Sequence, residues 1–223
     1  MRAKALTIIE DNARKIATLA MKRSSDNHGR RLMIAIAGAP GSGKSTIAER
    51  VVDLIISESG ISAALFPMDG FHYDDAVLEA MGRRAFKGAI DTFDVQGLRH
   101  MLERLKANED DVIAVPVFDR YMEISRASGR LIPQSVDIIV CEGNYLLAKQ
   151  SPWDRLEPIF DFTVFVDVEE DDLRERLRAR WRGFGLDEVE IDRKVEKNDL
   201  PNGIFIIQTA AEPTLRLKNP GRE

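Results

Sequence analysis

Gly38-Ala39-Pro40-Gly41-Ser42-Gly43-Lys44-Ser45 decides how the rest of this chain is read. The stretch fits G-x-x-x-x-G-K-[ST] at every fixed position. At average residue usage those four positions coincide in roughly one chain in a hundred of this length. Here the match also lies between an apolar run, Leu32 to Ala37, and a helical pattern through Ile47, Val51, Leu54 and Ile55. That strand–loop–helix context is the one in which the motif cradles phosphate. Glycines at 38, 41 and 43 permit positive φ and let backbone N–H groups close around phosphate oxygens. The helix beginning near Lys44 aims its amides and dipole at the same anion. The loop from Gly38 through Ser45, with Thr46 next to it, is therefore the expected nucleotide site. Lys44 would reach the β- and γ-phosphates and the Ser45 hydroxyl would ligate Mg²⁺.

Working outward, strand-like and helix-like segments alternate, which predicts a parallel α/β sheet with right-handed crossovers. Apolar runs at Ala63–Phe66, Val112–Val117, Val136–Cys141 and Phe162–Val166 read as strands, and Ile204–Ile207 as the last of them. Leu98–Leu105 and Leu173–Trp181 read as helices. Upstream, Leu6, Ile9, Ala13, Ile16 and Ala20 share one face of a helix over 2–22. That amphipathic helix has two placements, on its own chain or across a homodimer. The expected organisation is a single domain over 1–223, with a core at 31–207 and a loose tail from Glu212.

The chain has 223 residues and a formal charge of −5, from 32 Lys plus Arg against 37 Asp plus Glu. An acidic balance without interleaved basic and aromatic residues argues against a nucleic-acid partner. No apolar stretch approaches the ~20 residues of a membrane span, and no signal peptide is expected. The lone cysteine, Cys141, sits in an apolar run and reads as a small buried hydrophobe, which suits a cytoplasmic protein. No Cys/His cluster has the spacing of a structural zinc site. His28 and His100 read as surface residues, Trp153 and Trp181 as packing residues.

Three acids stand at the ends of apolar runs, where the ligand crevice of a parallel sheet lies: Asp69, Glu142 and Asp167. A kinase acting on a hydroxyl needs one carboxylate to accept the acceptor proton and often another near Mg²⁺. Asp69 is the candidate base, with Gly70 letting a substrate approach the backbone and His72 close enough to touch the acceptor. Glu142 is the candidate for the metal shell, and Asp167 reads as a helix cap. The loop from Tyr73 to Phe93, with Arg83, Arg84 and Lys87, reads as an acceptor-binding insertion. The chain has no Asn-Lys-x-Asp segment, which counts against a GTPase, and no Leu-Ser-Gly-Gly-Gln signature.

Together the phosphate loop, Asp69-Gly70-Phe71-His72, Pro116-Val117-Phe118-Asp119-Arg120 and Glu142-Gly143 resemble the uridine kinase/phosphoribulokinase/pantothenate kinase family of P-loop kinases. The resemblance spans Leu32 to Ile207. A narrower likeness, to bacterial fructose-transport-associated or nucleoside kinase-like proteins, lies in Phe86-Lys87-Gly88-Ala89, Glu142-Gly143-Asn144-Tyr145 and Asn198-Asp199-x-Pro201-Asn202. The resemblance implies a three-layer P-loop NTPase fold with a central parallel sheet and a helical lid at about 174–192. It implies Asp69 as the catalytic carboxylate, Glu142 near Mg²⁺, and Phe118, Asp119 and Arg120 lining the acceptor pocket. Lid arginines would clamp the phosphates, with Arg176 and Arg180 on one helix face and Arg180 the better match. Asn198 to Asn202 would pass near the adenine. Typical uridine kinases carry Asp-Ser-Phe-Tyr where this chain has Asp69-Gly70-Phe71-His72, so the acceptor stays open.

The reading that follows is an ATP- and Mg²⁺-dependent kinase acting on a hydroxyl of a small metabolite: a nucleoside, a sugar such as fructose, or a pantothenate-like alcohol. The alternative is a regulatory nucleotide-binding ATPase that acts through a protein partner.

Overall fold

The computed structural model describes residues 2–27 and 29–221; His28, the side chains of 2–6 (Leu6 among them) and the last two residues of the tail lie outside the described residues. Five strands form an all-parallel sheet: β1 (Leu32–Gly38), β2 (Ala63–Pro67), β5 (Ile138–Gly143), β6 (Phe162–Asp167) and β7 (Leu215–Lys218). Their order across the sheet is β2-β5-β1-β6-β7. β1 sits at the centre and every one of its residues is buried, so its apolar run is continuous, as expected of a strand covered on both sides.

Alternation along β1 divides the core in two. Leu32, Ile34 and Ile36 face α1 (Arg2–Ser25) and α2 (Lys44–Ser59), packing with Ala13, Ile16, Ala20, Val51 and Ile55. Met33, Ala35 and Ala37 face the other way, toward α4 (Val95–Ala107), α5 (Glu170–Gly183) and α7 (Leu200–Thr209), through Leu98, Leu102, Leu173, Leu177 and Ile206. The result is three layers, helices on both faces of the sheet. α1 therefore buries its apolar face on its own chain. Between α2 and α4 lies α3 (Asp75–Ala80), and between α5 and α7 lies α6 (Glu188–Lys194).

Four sequence readings change. Ile204–Ile207 is helical, inside α7, because a four-residue apolar run does not separate strand from buried helix. The last strand is β7, in the segment read as a loose tail; Leu215 pairs with Val164 and Leu217 with Val166. Val112–Val117 lies in β3 (Val112–Asp119), which pairs antiparallel with β4 (Ile124–Pro133) in a separate two-stranded sheet. Asp167 is not a cap: the capping position of α5 is Glu169, and Asp167 pairs with Lys218 at 3.0 Å.

Candidate active site

The loop between β1 and α2 takes its shape from three glycines with two different duties. Gly41 and Gly43 have φ of 81° and 85°, the left-handed region. Gly38 does not; a Cβ there would lie 2.8 Å from both the Ser42 hydroxyl and the Val166 carbonyl. Its glycine is required by close packing of β6 against the loop, not by backbone angle. Behind the loop, Asn219 is buried and donates its amide to the Ser42 carbonyl at 2.7 Å. Arg176 donates to the carbonyls of Gly41 and Ser42, both at 3.4 Å, and to those of Asn219 and Pro220 at 2.9 and 2.8 Å. The loop carbonyls are thus engaged from the rear.

The ends of β5 and β2 bring the carboxylates to this loop. Glu142 lies on β5 opposite Ile36 of β1 and is 4% exposed. Its Oε2 accepts a hydrogen bond from the Ser45 hydroxyl at 3.1 Å. Burial pushes the Glu142 carboxyl above its ordinary range, against the pull of Lys44 and the Ser45 hydrogen bond. The same burial pushes the Lys44 ammonium down, opposed by Glu142 and Asp69.

Asp69 follows β2 in a single 3₁₀ turn, Met68–Phe71. Burial raises its carboxyl, but the charges of Arg120, His72, Lys44 and Arg180 outweigh burial and hold it below the usual carboxylate range. The nearest is Arg120, whose guanidinium lies 2.8 Å from Asp69 Oδ2. Gly70 admits protein rather than substrate: a Cβ there would lie 2.6 Å from the Pro116 carbonyl. β3 packs directly on the turn that presents Asp69.

His72 stacks on Phe93 at 4.0 Å between ring centroids, with Phe118 at 4.9 Å on a tilted approach. Burial drives its pKa down to about 4, so the ring is neutral near pH 7. Its Nδ1 is buried without a hydrogen-bond partner among the described residues. Phe118 and Arg120 line the cleft, whereas Asp119 turns to accept from the backbone N–H groups of Tyr121 and Met122, both at 3.1 Å. Asp119 also pairs with Arg126 at 3.4 Å, so it organises the β3–β4 turn.

The arginines of α5 separate by position. Arg174, Arg178 and Arg182 pair with acids of α5, α6 and the turn after it, at Glu170, Asp192 and Glu188 among others. Arg176 turns to the rear of the phosphate loop. Arg180 lines the cleft and acts on Asp69, and its neighbour Trp181 donates Nε1–H to Asp199 at 2.7 Å.

Asp69, His72, Phe118, Arg120 and Arg180 share one cleft of about 330 Å³. Its far wall comes from the loop after α3 and from a π-helical turn, Val195–Asp199, between α6 and α7. Asn198 joins the two by donating to the Lys87 carbonyl at 3.0 Å. The Asn198–Asn202 segment therefore lines the same cleft as Asp69. Arg193, Lys194 and Lys197, which sequence reasoning passed over, lie there too. Their signal was a basic spacing along one helical stretch, easily taken for a solvated face. Asn219 carried no signal at all, since its role depends on β7.

The model of the Phosphoribulokinase / Uridine kinase family matches residues 33–200. The chain belongs to this family. A Schizosaccharomyces pombe protein named "Putative uridine kinase" is 29% identical over 198 residues, covering 86% of this chain and 84% of that protein. Pantothenate kinase of Listeria monocytogenes is 33% identical over 153 residues, 67% of this chain, and this chain spans about half (49%) of its length. Among solved structures, a "putative fructose transport system kinase" from Silicibacter sp. TM1040 superposes with a TM-score of 0.79 at 34% identity, covering 84% of this chain and 89% of that one. The chain is a phosphotransferase that uses a nucleotide and an alcohol acceptor, on the three-layer α/β fold of P-loop kinases. No helix among the described residues is long and apolar enough to cross a membrane.

Proposed function

We propose that this kinase transfers the γ-phosphoryl of ATP to a hydroxyl of a small metabolite bound in the cleft between Asp69 and the 195–199 turn. The observation that carries the reading is Asp69 itself. An ionised carboxylate projects from a strand end into a cleft that adjoins the phosphate loop, held in place by Arg120. The acceptor hydroxyl would donate its hydrogen bond to Asp69. As its oxygen bonds to the γ-phosphorus, the bond from that phosphorus to the β-bridging oxygen breaks. ADP departs, and the hydroxyl proton passes to Asp69 and on to solvent. With its pKa below the usual range, Asp69 is a weak base. Its main contribution is orientation, which suits a loose transition state where proton transfer is late. Because it stays ionised into acid solution, Asp69 predicts no loss of activity from its own protonation until the pH falls below the ordinary carboxylate range.

Lys44, the loop amides and Arg180 would take up negative charge on the transferred group, with Arg180 closing over it as part of a lid made by α5 and α6. The donor set beside the loop fits Mg²⁺. A Ser45 hydroxyl and a buried Glu142 carboxylate stand 3.1 Å apart, and no cluster of three or more His, Cys, Asp or Glu side chains among the described residues offers a complete cage. Mg²⁺ draws its remaining ligands from phosphates and water. When bound, it would neutralise the β- and γ-oxygens. Ser45 and Glu142 would hold it, Glu142 ionising as the cation compensates its burial.

The test is ADP release with MgATP against nucleosides, sugars and pantothenate, with Lys44→Ala as the blank. Stimulation by an acceptor, cut about 10²–10⁴-fold in Asp69→Asn with ATP affinity unchanged, supports the assignment. Normal turnover in Asp69→Asn would show that another group orients the hydroxyl. ADP release that no acceptor changes would favour the regulatory alternative.

A further inference from the structure

The charges lining the cleft fall into two groups. Arg120 and Arg180 are among the charges that act most strongly on Asp69. Arg84, Lys87, Arg193, Lys194 and Lys197 line the same cleft and are not among them. Against all these cations the lining supplies three carboxylates, Asp69, Glu123 and Asp199. A protein with a formal charge of −5 thus concentrates positive charge in one cavity.

Most of the second group is accounted for by protein partners. Arg84 and Lys87 both pair with Asp75, at 2.7 and 2.6 Å. Lys194 lies over the Trp181 ring, 4.3 Å from its centroid. Arg193 and Lys197 have no ion-pair partner among the described residues. They are spaced four apart, one at the end of α6 and one in the π-helical turn, a local distortion often found at functional sites. Asn198, between them and the Lys87 loop, fixes the separation of the two walls. Asn202 in turn donates to Asn198 at 3.0 Å.

We propose that Arg193 and Lys197 form a subsite for an anionic oxygen group on the acceptor. This deepens and rests on the kinase reading above. The acceptor is then a phosphorylated or carboxylated metabolite with a free hydroxyl, not a neutral nucleoside or free sugar. Arg193 and Lys197 are exposed; an anionic acceptor forms charge-assisted hydrogen bonds with them that a neutral skeleton cannot, so charge alone discriminates between otherwise similar skeletons. Guanidinium and ammonium groups together suit either phosphate or carboxylate.

Two measurements test this. The first is turnover with acceptors in matched pairs: nucleoside against nucleoside monophosphate, sugar against sugar phosphate, alcohol against hydroxy acid. Activity should be confined to charged members, and the phosphate and carboxylate arms say which anion is read. In Arg193→Ala/Lys197→Ala, KM for that acceptor should rise roughly tenfold or more for each charged hydrogen bond removed, with KM for ATP within twofold. Equal use of a neutral partner, or a parallel rise in the KM for ATP, overturns the subsite and assigns these cations to the donor. The second measurement needs no turnover. With the phosphate loop filled by a non-hydrolysable MgATP analogue, inorganic phosphate or acetate is titrated while melting temperature is followed. A saturable rise in the wild type, abolished in the double variant, supports the subsite; no rise in the wild type overturns it. A rise without turnover on any acceptor leaves the subsite standing and removes the kinase reading instead.

Discussion

The two sides of the cleft are built by opposite means. On the side of β1 and α2 the candidate recognition elements are backbone, locked by Gly41 and Gly43 and braced from behind by Asn219 and Arg176. On the far side they are side chains of α5, α6 and the 195–199 turn, and many of these are laced to one another by exposed ion pairs such as Arg182–Glu188. A braced backbone loop suits a feature common to every nucleoside triphosphate. Exposed side chains on short helices are easily repositioned, and exposed pairs contribute little to stability.

Breaking the near side should have the largest effect. Lys44→Ala should lower kcat by about 10²–10³-fold, the cost of removing one preorganised donor to developing charge; steady-state kinetics at saturating acceptor measures it. The sharpest contrast lies within α5. Arg180→Ala should lower kcat with little change in melting temperature, because its guanidinium faces the open cleft. Arg176→Ala should do the reverse, raising the KM for ATP and lowering stability by about 1–3 kcal/mol as the loop and tail carbonyls lose their donor. Thermal melts and kinetics on the two variants side by side would expose any exchange of these roles. Gly70→Ala comes next. Its Cβ meets the Pro116 backbone, so a loss of about 1–3 kcal/mol is expected, with a fall in kcat as Asp69 shifts. A denaturant midpoint close to wild type would mean that β3 gives way easily. Arg182→Ala is the smallest: its pair with Glu188 is exposed, and neither melting temperature nor turnover should move measurably.

Much of the near side was legible because its function is local. Eight consecutive residues specify a turn, a helix start, a lysine and a hydroxyl, and each acts within a few ångströms of its own backbone. Asp69 and Glu142 were legible for a related reason: a residue at the C-terminal end of a parallel strand has only one crevice to enter. The arginines of α5 were not. Periodicity puts Arg176 and Arg180 on one face, yet one meets the back of the loop and the other the cleft. What divides them is the location of β7 and of Asn219 just after it, invisible from within the helix. Gly70 misled similarly, since an absent side chain looks the same whether a ligand or another strand fills the space.

The sequence by itself determined the phosphate loop, the alternating parallel α/β sheet and the two strand-end carboxylates, all set by spacing along the chain. Only the tertiary structure decided that the tail is the edge strand bracing the loop, that Asp119 organises the β3–β4 turn, and that Arg193 and Lys197 share a cavity with Asp69. Each of these depends on segments far apart in sequence meeting through packed apolar faces. No local pattern records which face meets which.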